Sequence, residues 1–421
     1  MTLCTEYPSL LFLKKKKNLL CSRVFTLVEK FEQIPTTTMV SSIAVRLRFS
    51  LGILSGLLGT DEKTHNKKYI PGLRSVLTQK YGWSFFIAYL FPLVAVLSAT
   101  LAVVTTPYDP SRVDYSVFWS LLGVLYAFVM IPLLDSVLGL DITNADKKNE
   151  FFRMLVRLYV PVDFLMLWAV IHIVSSYQDT LSTAAIVGSV ISLGTSNSMA
   201  FTVAHELLHS SAAVERTLSS MLLVPNFYMH WTRAHLQHHA WVGTDRDPTT
   251  ARKNETVYAF WWRSIYGNLV NAYAAESKKR SKRTLVGWIA FPLLLLSLNY
   301  IIYGMLGVAV QLGQAIVSIL LLETVNYIEH YGLSRNKVDG VYERVQPRHS
   351  WNATTMFTNA ASFNLQRHSD HHAHERKSYE KLEHMPDAPQ LPYGYPAMML
   401  LSLLPPLYFK TMNPRLASTR E

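Results

Sequence analysis

The stretch AAIVGSVISLGTSNSMAFTVA, followed at once by HELLH, occupies residues 184–209. Residues 184–204 carry no charge, and their length matches the ~20 residues that a helix needs to cross a hydrocarbon core of about 30 Å. The segment is rich in glycine, serine and alanine, the small side chains that let transmembrane helices pack closely. Two histidines four residues apart, His205 and His209, follow the last apolar residue. On a helix that spacing puts both imidazoles on one face. The stretch therefore predicts a helix that leaves the bilayer and presents paired metal-ligating side chains at its end.

Composition extends this reading to the whole chain. Of 421 residues, 50% are hydrophobic and only 16% are charged. A soluble protein carries about 25% charged residues to solvate its surface. Further apolar runs lie at 83–105, 117–134 and 158–174, the last interrupted by Asp163 and His172. Residues 285–322 contain no charge at all. That run is too long for one span and predicts two helices turning near Gly304 and Gly307. The expected fold is all-α: a multi-pass integral membrane protein with six transmembrane helices and a cytosolic histidine-rich cap.

Charge orients it. The loops assigned to the far side hold one basic residue, Arg112, while nearly all of the 40 Lys and Arg fall on the other, among them Lys14–Lys17, Lys147, Lys148 and the run 278–283. The positive-inside rule places the termini and the long loops in the cytosol. It also accounts for the net charge of +11 without nucleic acid. On that topology the sequons at Asn254 and Asn352 are silent. Cys4 and Cys21 are too few for a disulfide framework or a tetrathiolate cluster.

The expected domain runs over 81–412, between an N-terminal extension (1–80) and a C-terminal tail (413–421). Residues 39–59, with Arg46, Arg48, several serines and no acid, resemble a transit peptide, but the plainer reading is an amphipathic segment on the membrane surface or a start codon upstream of the true one. The membrane is expected to be the endoplasmic reticulum or another internal one, with mitochondrial targeting as the alternative. Residues 397–409 are apolar but too short to span, and Pro405-Pro406 interrupts them, which predicts a helix lying at the interface.

Histidine placement carries the chemistry. Besides His205 and His209, the chain has His235, His238 and His239 in one HxxHH triplet, His368, His371 and His372 in another, and His330 in NYIEHYG. With 15 histidines in 421 residues, about 0.02 chance HxxHH matches are expected, and there are two. Nine imidazoles delivered to one depth at the ends of helices make a metal site. They are too many for one ion and suit two. The ligand set lacks thiolate and carboxylate, so neighbouring acids are expected to accept from the outer ring nitrogens. Glu206, Asp370, Glu329, Asp245 and Asp247 are the candidates, with Glu206 and Asp370 foremost. His374 is a weaker candidate for the same outer position. His65, His172, His230, His349 and His384 stand alone and read as surface or packing residues. Trp231, Trp241, Trp261 and Trp262 suit a membrane-interface belt or, less readily, a substrate entrance.

Four segments, His205–His209, 235–248, 326–333 and 365–375, resemble the histidine boxes of the alkane 1-monooxygenase (alkane ω-hydroxylase) family, a branch of the membrane fatty acid desaturase/hydroxylase superfamily. Pro132-Leu133-Leu134-Asp135 with Gly139, Asp141 and Asn144 is similar to that family as well, and so is 388–392 followed by Gly394-Tyr395. The resemblance covers roughly 80–412, and the segment 326–333 is its most specific part. Ser210 stands where the family commonly has lysine, and Ala234 where it commonly has an acid. The resemblance implies that the nine histidines hold two iron ions, a non-haem di-iron centre. It also implies O₂-dependent hydroxylation of a terminal methyl on a medium- or long-chain alkane or alkyl lipid taken from the bilayer. Two electrons would come from a separate rubredoxin-like donor and its reductase, for which the basic run 278–283 offers a docking face.

Three other readings share parts of this pattern. A fatty acyl desaturase or fatty acid hydroxylase has the same iron site and differs in product. HELLH also matches the HExxH of zinc hydrolases, so a zinc-dependent intramembrane protease is an alternative. A metal-binding protein without catalysis is the third.

Overall fold

The computed structural model describes residues 83–109, 111–144 and 150–419. The targeting-like segment 39–59, Cys4, Cys21, Lys14–Lys17, His65, Lys147 and Lys148 lie outside them. The described chain is almost entirely helical. A 3₁₀ turn, Trp83–Tyr89, leads into α1 (Leu90–Thr105). Next come α2 (Ser116–Ser120), α3 (Leu122–Leu125), a π-helical turn (Tyr126–Met130) and α4 (Ile131–Leu138). Then follow α5 (Glu150–Ser176), α6 (Thr183–Leu208), α7 (Ala213–Leu222), α8 (Trp231–Trp241), α9 (Val257–Ser277) and α10 (Arg283–His330). A two-residue hairpin, β1 (Lys337–Val338) with β2 (Val341–Tyr342), precedes α11 (Met356–Ala361), α12 (His368–Ala373), α13 (Tyr395–Ser402) and α14 (Pro405–Ser418).

Among the described residues, four helices are long and apolar enough to cross a membrane: Ser84–Thr105, Glu150–Ser176, Thr183–Leu208 and Arg283–His330. The last is folded in two. Gly304 has φ +65° and ψ −156°, outside helical space, at the position where the uncharged run was expected to turn. Residues twelve apart in a straight helix are about 18 Å apart. Asn299 Nδ2 nevertheless donates to Gln311 Oε1 at 2.5 Å, so the two halves run back along each other.

Two segments depart from expectation. The run 117–134 is a broken helix, α2 to α4, rather than a continuous one, and only Leu122–Leu138 forms a longer apolar piece. Pro132 lacks an N–H and its ring would clash with the carbonyl four residues back; the wider π turn over 126–130 relieves both problems. Helix α5 begins at Glu150, ahead of the apolar run, because Arg153 and Arg157 both reach Glu215 on α7. Asp163 does not break α5. It faces inward, fully buried, and accepts from Asn197 Nδ2 at 3.2 Å, while Asn226 Nδ2 donates to Asn197 Oδ1 at 2.7 Å. An acid at membrane depth has to turn toward such partners.

The expected interfacial helix is likewise two pieces, α13 and α14, interrupted just before Pro405-Pro406. Helix α14 continues past residue 412 to Ser418. Tyr331 donates its hydroxyl to Asn413 Oδ1 at 2.9 Å, and Leu416 packs on Gly332.

Helix α6 is the centre of the bundle, packed on α1, α5, α7 and α10. Its small residues allow this. A Cβ on Gly194 would lie 2.6 Å from Val317 Cβ and 2.7 Å from the Gln314 carbonyl oxygen. Backbone cannot move aside as a side-chain tip can. Gly194→Leu is therefore expected to destabilise the bundle by about 1–3 kcal/mol through overpacking. Gly287→Ala, whose Cβ meets only the Phe291 ring at 3.3 Å, should stay within about 0.5 kcal/mol. Thermal unfolding of both variants in detergent checks the difference.

Candidate metal centre

Four helix ends deliver the nine histidines. Helix α6 carries His205 and ends on His209; α8 carries His235, His238 and His239; α10 ends on His330; α12 opens on His368 and carries His371 and His372. Their ligating atoms form two groups, each within 4.8 Å: His205, His209, His235, His239 and His371 in one, and His238, His330, His368 and His372 in the other. Each HxxHH triplet is divided between the groups by helical geometry. Residues i and i+4 lie about 40° apart around an α-helix, while i+3 and i+4 lie about 100° apart. So His235 and His239 serve one group and His238 the other. His368 and His372 pair likewise, with His371 crossing over.

The rings meet through their Nε2 atoms. Separations are 3.1 Å for His209–His235, 3.0 Å for His235–His239 and 3.1 Å for His239–His371. In the second group they are 3.1 Å for both His238–His330 and His330–His368, and 3.0 Å for His368–His372. Two nitrogens bound about 2.1 Å from one ion and roughly 90° apart are separated by about 3.0 Å. A tetrahedral angle would give about 3.4 Å. The spacing therefore fits ions with more than four ligands. The His205 Nε2 is buried without a hydrogen-bond partner, as a nitrogen awaiting a cation would be. Burial holds His235, His239, His368, His371 and His372 well below the ordinary imidazole range, reinforced by the neighbouring rings, and pushes His209 down to about 4. Neutral imidazole is the form that binds metal.

The expected acids sort by geometry. Asp247 Oδ2 lies 2.8 Å from Nδ1 of His238, while the Thr249 N–H donates to Oδ1 at 3.1 Å and the Thr250 hydroxyl to Oδ2 at 2.6 Å. This carboxylate fixes the ring from outside. Glu329 is on the other side, its Oε2 3.2 Å from the inward Nε2 of His368. Asp370 and Glu206, foremost by sequence, contact no ligand ring through a hydrogen bond. Asp370 takes Nδ1 of His374 at 2.7 Å, the Lys377 ammonium at 2.8 Å and the Glu383 N–H at 2.7 Å, so it pins the loop after α12. Glu206 meets the backbone N–H of Tyr379. Asp245 is exposed and accepts from the Tyr342 hydroxyl at 2.9 Å. His374 is exposed as well. Of the solitary histidines, His172 stacks on Trp168, His230 packs against Tyr228 and Trp288, and His349 lies 3.3 Å from Glu343.

Three further residues emerge only from the fold. Arg367 is fully buried beside His368; its guanidinium donates to the Leu382, Thr143 and Asp141 oxygens, with Asp141 Oδ2 at 3.0 Å. Asp135 similarly accepts from the Thr358 N–H at 2.9 Å and hydroxyl at 2.5 Å, and the Asn144 side chain accepts from the His384 N–H at 2.7 Å. The motif 132–144 is thus the bracket that holds α11, α12 and the segment after them. Glu375 lies 3.8 Å from Nδ1 of His239. Glu323, fully buried, joins Asp247 through a hydrogen-bonded chain: Ser264 to Glu323 at 2.6 Å, Asn268 to Ser264 at 3.2 Å and Asn268 to Thr249 at 3.1 Å. At Ser210, where the family commonly has lysine, the Arg153 guanidinium donates to the serine hydroxyl at 2.6 Å. Asn352 is fully buried and accepts from the Ser369 N–H at 2.8 Å, which leaves no room for a glycan in the folded chain.

A cavity of about 910 Å³, part of it open to the surroundings, abuts part of each group. Its walls are apolar, and His205, His235, His368, Asn326 and Glu329 stand at the metal end. Thr195, Ser198, Met199 and Thr202 line it along one face of α6, leading to His205. Trp231, stacked on His235 at 4.5 Å, forms part of the wall. Trp262 is exposed.

A bundle of apolar helices that ends in two histidine clusters defines a membrane metalloenzyme. Residues 181–402 match the fatty acid desaturase family model. The chain is 33% identical over 361 residues to alkane 1-monooxygenase 2 of Alcanivorax borkumensis, covering 82% of this chain and 92% of that protein. It is 36% identical to alkane 1-monooxygenase 1 of Pseudomonas aeruginosa over 71% of this chain and 83% of that one. It is 26% identical over 310 residues to the hydroxylase component of a xylene/toluene monooxygenase from Pseudomonas putida, covering 70% of this chain and 82% of that one. The chain belongs to the alkane 1-monooxygenase family, and is an oxidoreductase.

Two outcomes test this centre. Arg367→Met leaves Asp141 buried and unpaired, which is expected to cost about 3–5 kcal/mol and to lower metal content; unfolding in detergent with metal analysis measures both. The second concerns pH. Unfolded histidine takes its proton near pH 6.5, whereas folded His209 does so at about 4. Between these values the unfolded chain binds more protons, so acid favours unfolding. The thermal midpoint of metal-stripped protein should therefore fall as pH is lowered from about 6.5 toward 4.

Proposed function

We propose that the chain is a non-haem di-iron monooxygenase that hydroxylates the terminal methyl of a medium- or long-chain alkane or alkyl lipid. The observation that carries this reading is the placement of two histidine groups at the end of an apolar cavity. Five imidazoles in one group, at near-90° spacing, favour iron over tetrahedral zinc. The overall change consumes O₂, two electrons and two protons; one oxygen atom enters a C–H bond to give a primary alcohol and the other leaves as water. The iron pair supplies the oxygen activation and C–H cleavage.

The chain supplies position. Thr195 lies ten residues before His205, about 15 Å along α6. An extended chain advances about 1.2 Å per bond, so this wall spans about a dozen carbons. The walls exclude water and hold the alkyl chain lengthwise. Its end meets the histidine groups first, so a primary carbon reacts although internal C–H bonds are weaker.

The six apolar helical segments are read as six crossings, with the termini and the metal centre in the cytosol, in an internal membrane. Electrons come from an external rubredoxin-like donor with its reductase, because two cysteines cannot build a tetrathiolate centre in this chain. The basic run 278–283 offers it a complementary surface.

Purified protein assayed with octane or hexadecane under a reducing system should contain about two irons and yield the 1-alcohol. An internal alkene would reassign it as a desaturase, and zinc without oxygen consumption would remove the oxygenase reading. Thr195→Trp is expected to shift the product profile of an alkane mixture toward shorter chains, read by chromatography, while 1-alcohol formation persists.

A further inference from the structure

The two donor groups are unequal, with five imidazoles in one and four in the other. Glu329 abuts the smaller group at His368, just outside the set of donors that lie within 4.8 Å of one another. Its Oε2 is 3.2 Å from Nε2 of His368, the nitrogen that faces His330 and His372, and this matches the 3.0–3.1 Å between the imidazoles themselves. A carboxylate that oriented the ring from outside would sit at Nδ1 instead, as Asp247 does for His238. The Nδ1 of His368 is buried and has no hydrogen-bond partner.

The rest of the carboxylate is equally short of partners. Glu329 is 2% exposed, its Oε1 has no hydrogen-bond partner, and the ion pairs among the described residues give it no lysine or arginine. The Tyr395 hydroxyl lies beside it. A buried carboxylate with so few donors carries a large desolvation cost. A divalent cation at the centre of the neighbouring imidazoles would offset it. Glu329 also lines the apolar cavity together with His368, so its carboxylate occupies the substrate side of that ion's position.

We propose that Glu329 is a tenth metal donor, an oxygen ligand to the ion held by His238, His330, His368 and His372. The other ion keeps an all-nitrogen set. This rests on the two-ion reading above. It makes the two positions chemically unequal, since only one of them has an anion in contact with the ion. It also makes the donor nearest the alkyl chain a carboxylate on a flexible stem, while every imidazole is fixed by a helix end.

Cobalt(II) titration of metal-stripped full-length protein in detergent tests the proposal, with bound metal counted and the visible absorption recorded. Wild-type protein should bind two ions. In the isosteric Glu329→Gln, one ion should bind as in the wild type, while the other binds at least about tenfold more weakly with an altered spectrum. Retention of the first ion reports an intact fold. Two ions bound with wild-type affinity and spectrum in Glu329→Gln would overturn the assignment, as would equal weakening of both. Wild-type protein that binds fewer than two ions would overturn the two-ion reading and this proposal together.

Discussion

Imidazoles buried with their ring lone pairs facing one another repel unless a cation lies between them. That single electrostatic constraint organises the lower half of the bundle. The Nε2 atoms approach to 3.0–3.1 Å around two centres, far from bulk water. The surrounding structure exists to hold that arrangement: the ends of α6 and α10 fix its depth, α8 and α12 its width, and the 132–144 motif locks α12 from behind.

The bundle above the centre solves a different problem. Helix α6 has to lie close to α1, α5, α7 and α10 and yet leave a space along one face. Glycine at 194 closes the contact with α10, and the small side chains of Thr195, Ser198 and Thr202 leave the opening just below. One helix thereby forms both the tight packing and the cavity wall. The buried acids this leaves in the bundle are turned toward polar partners, Asp163 toward Asn197 and Glu323 toward Ser264 and Tyr228, as an apolar solvent demands.

The nine histidines that the fold gathers into two groups were legible in the sequence because the relevant periodicities are local. Residues four apart on a helix share a face wherever that helix sits. The charge-free runs gave most of the membrane helices for the same reason, and the turn at Gly304 followed from a run too long for one crossing. The acids were read less well. Glu206 and Asp370 lie inside histidine motifs, but neighbours in sequence on a helix point about 100° apart. Asp370 instead serves Lys377 and the loop beyond, and Asp247, nine residues from its histidine, is the candidate within hydrogen-bond distance of a ring's outer nitrogen.

Amino-acid order alone determined that this chain has helices apolar enough to cross a membrane, that several of them end in histidine and that those histidines have the spacing of metal ligands. These are properties of hydropathy and helical repeat, which need no knowledge of neighbours. Tertiary structure decided the division of each triplet between two centres, the bracing of His368 by Arg367 and Asp141, and the inward turn of Glu329. Those outcomes join residues up to 226 positions apart, and only packing specifies which distant side chains share one buried space.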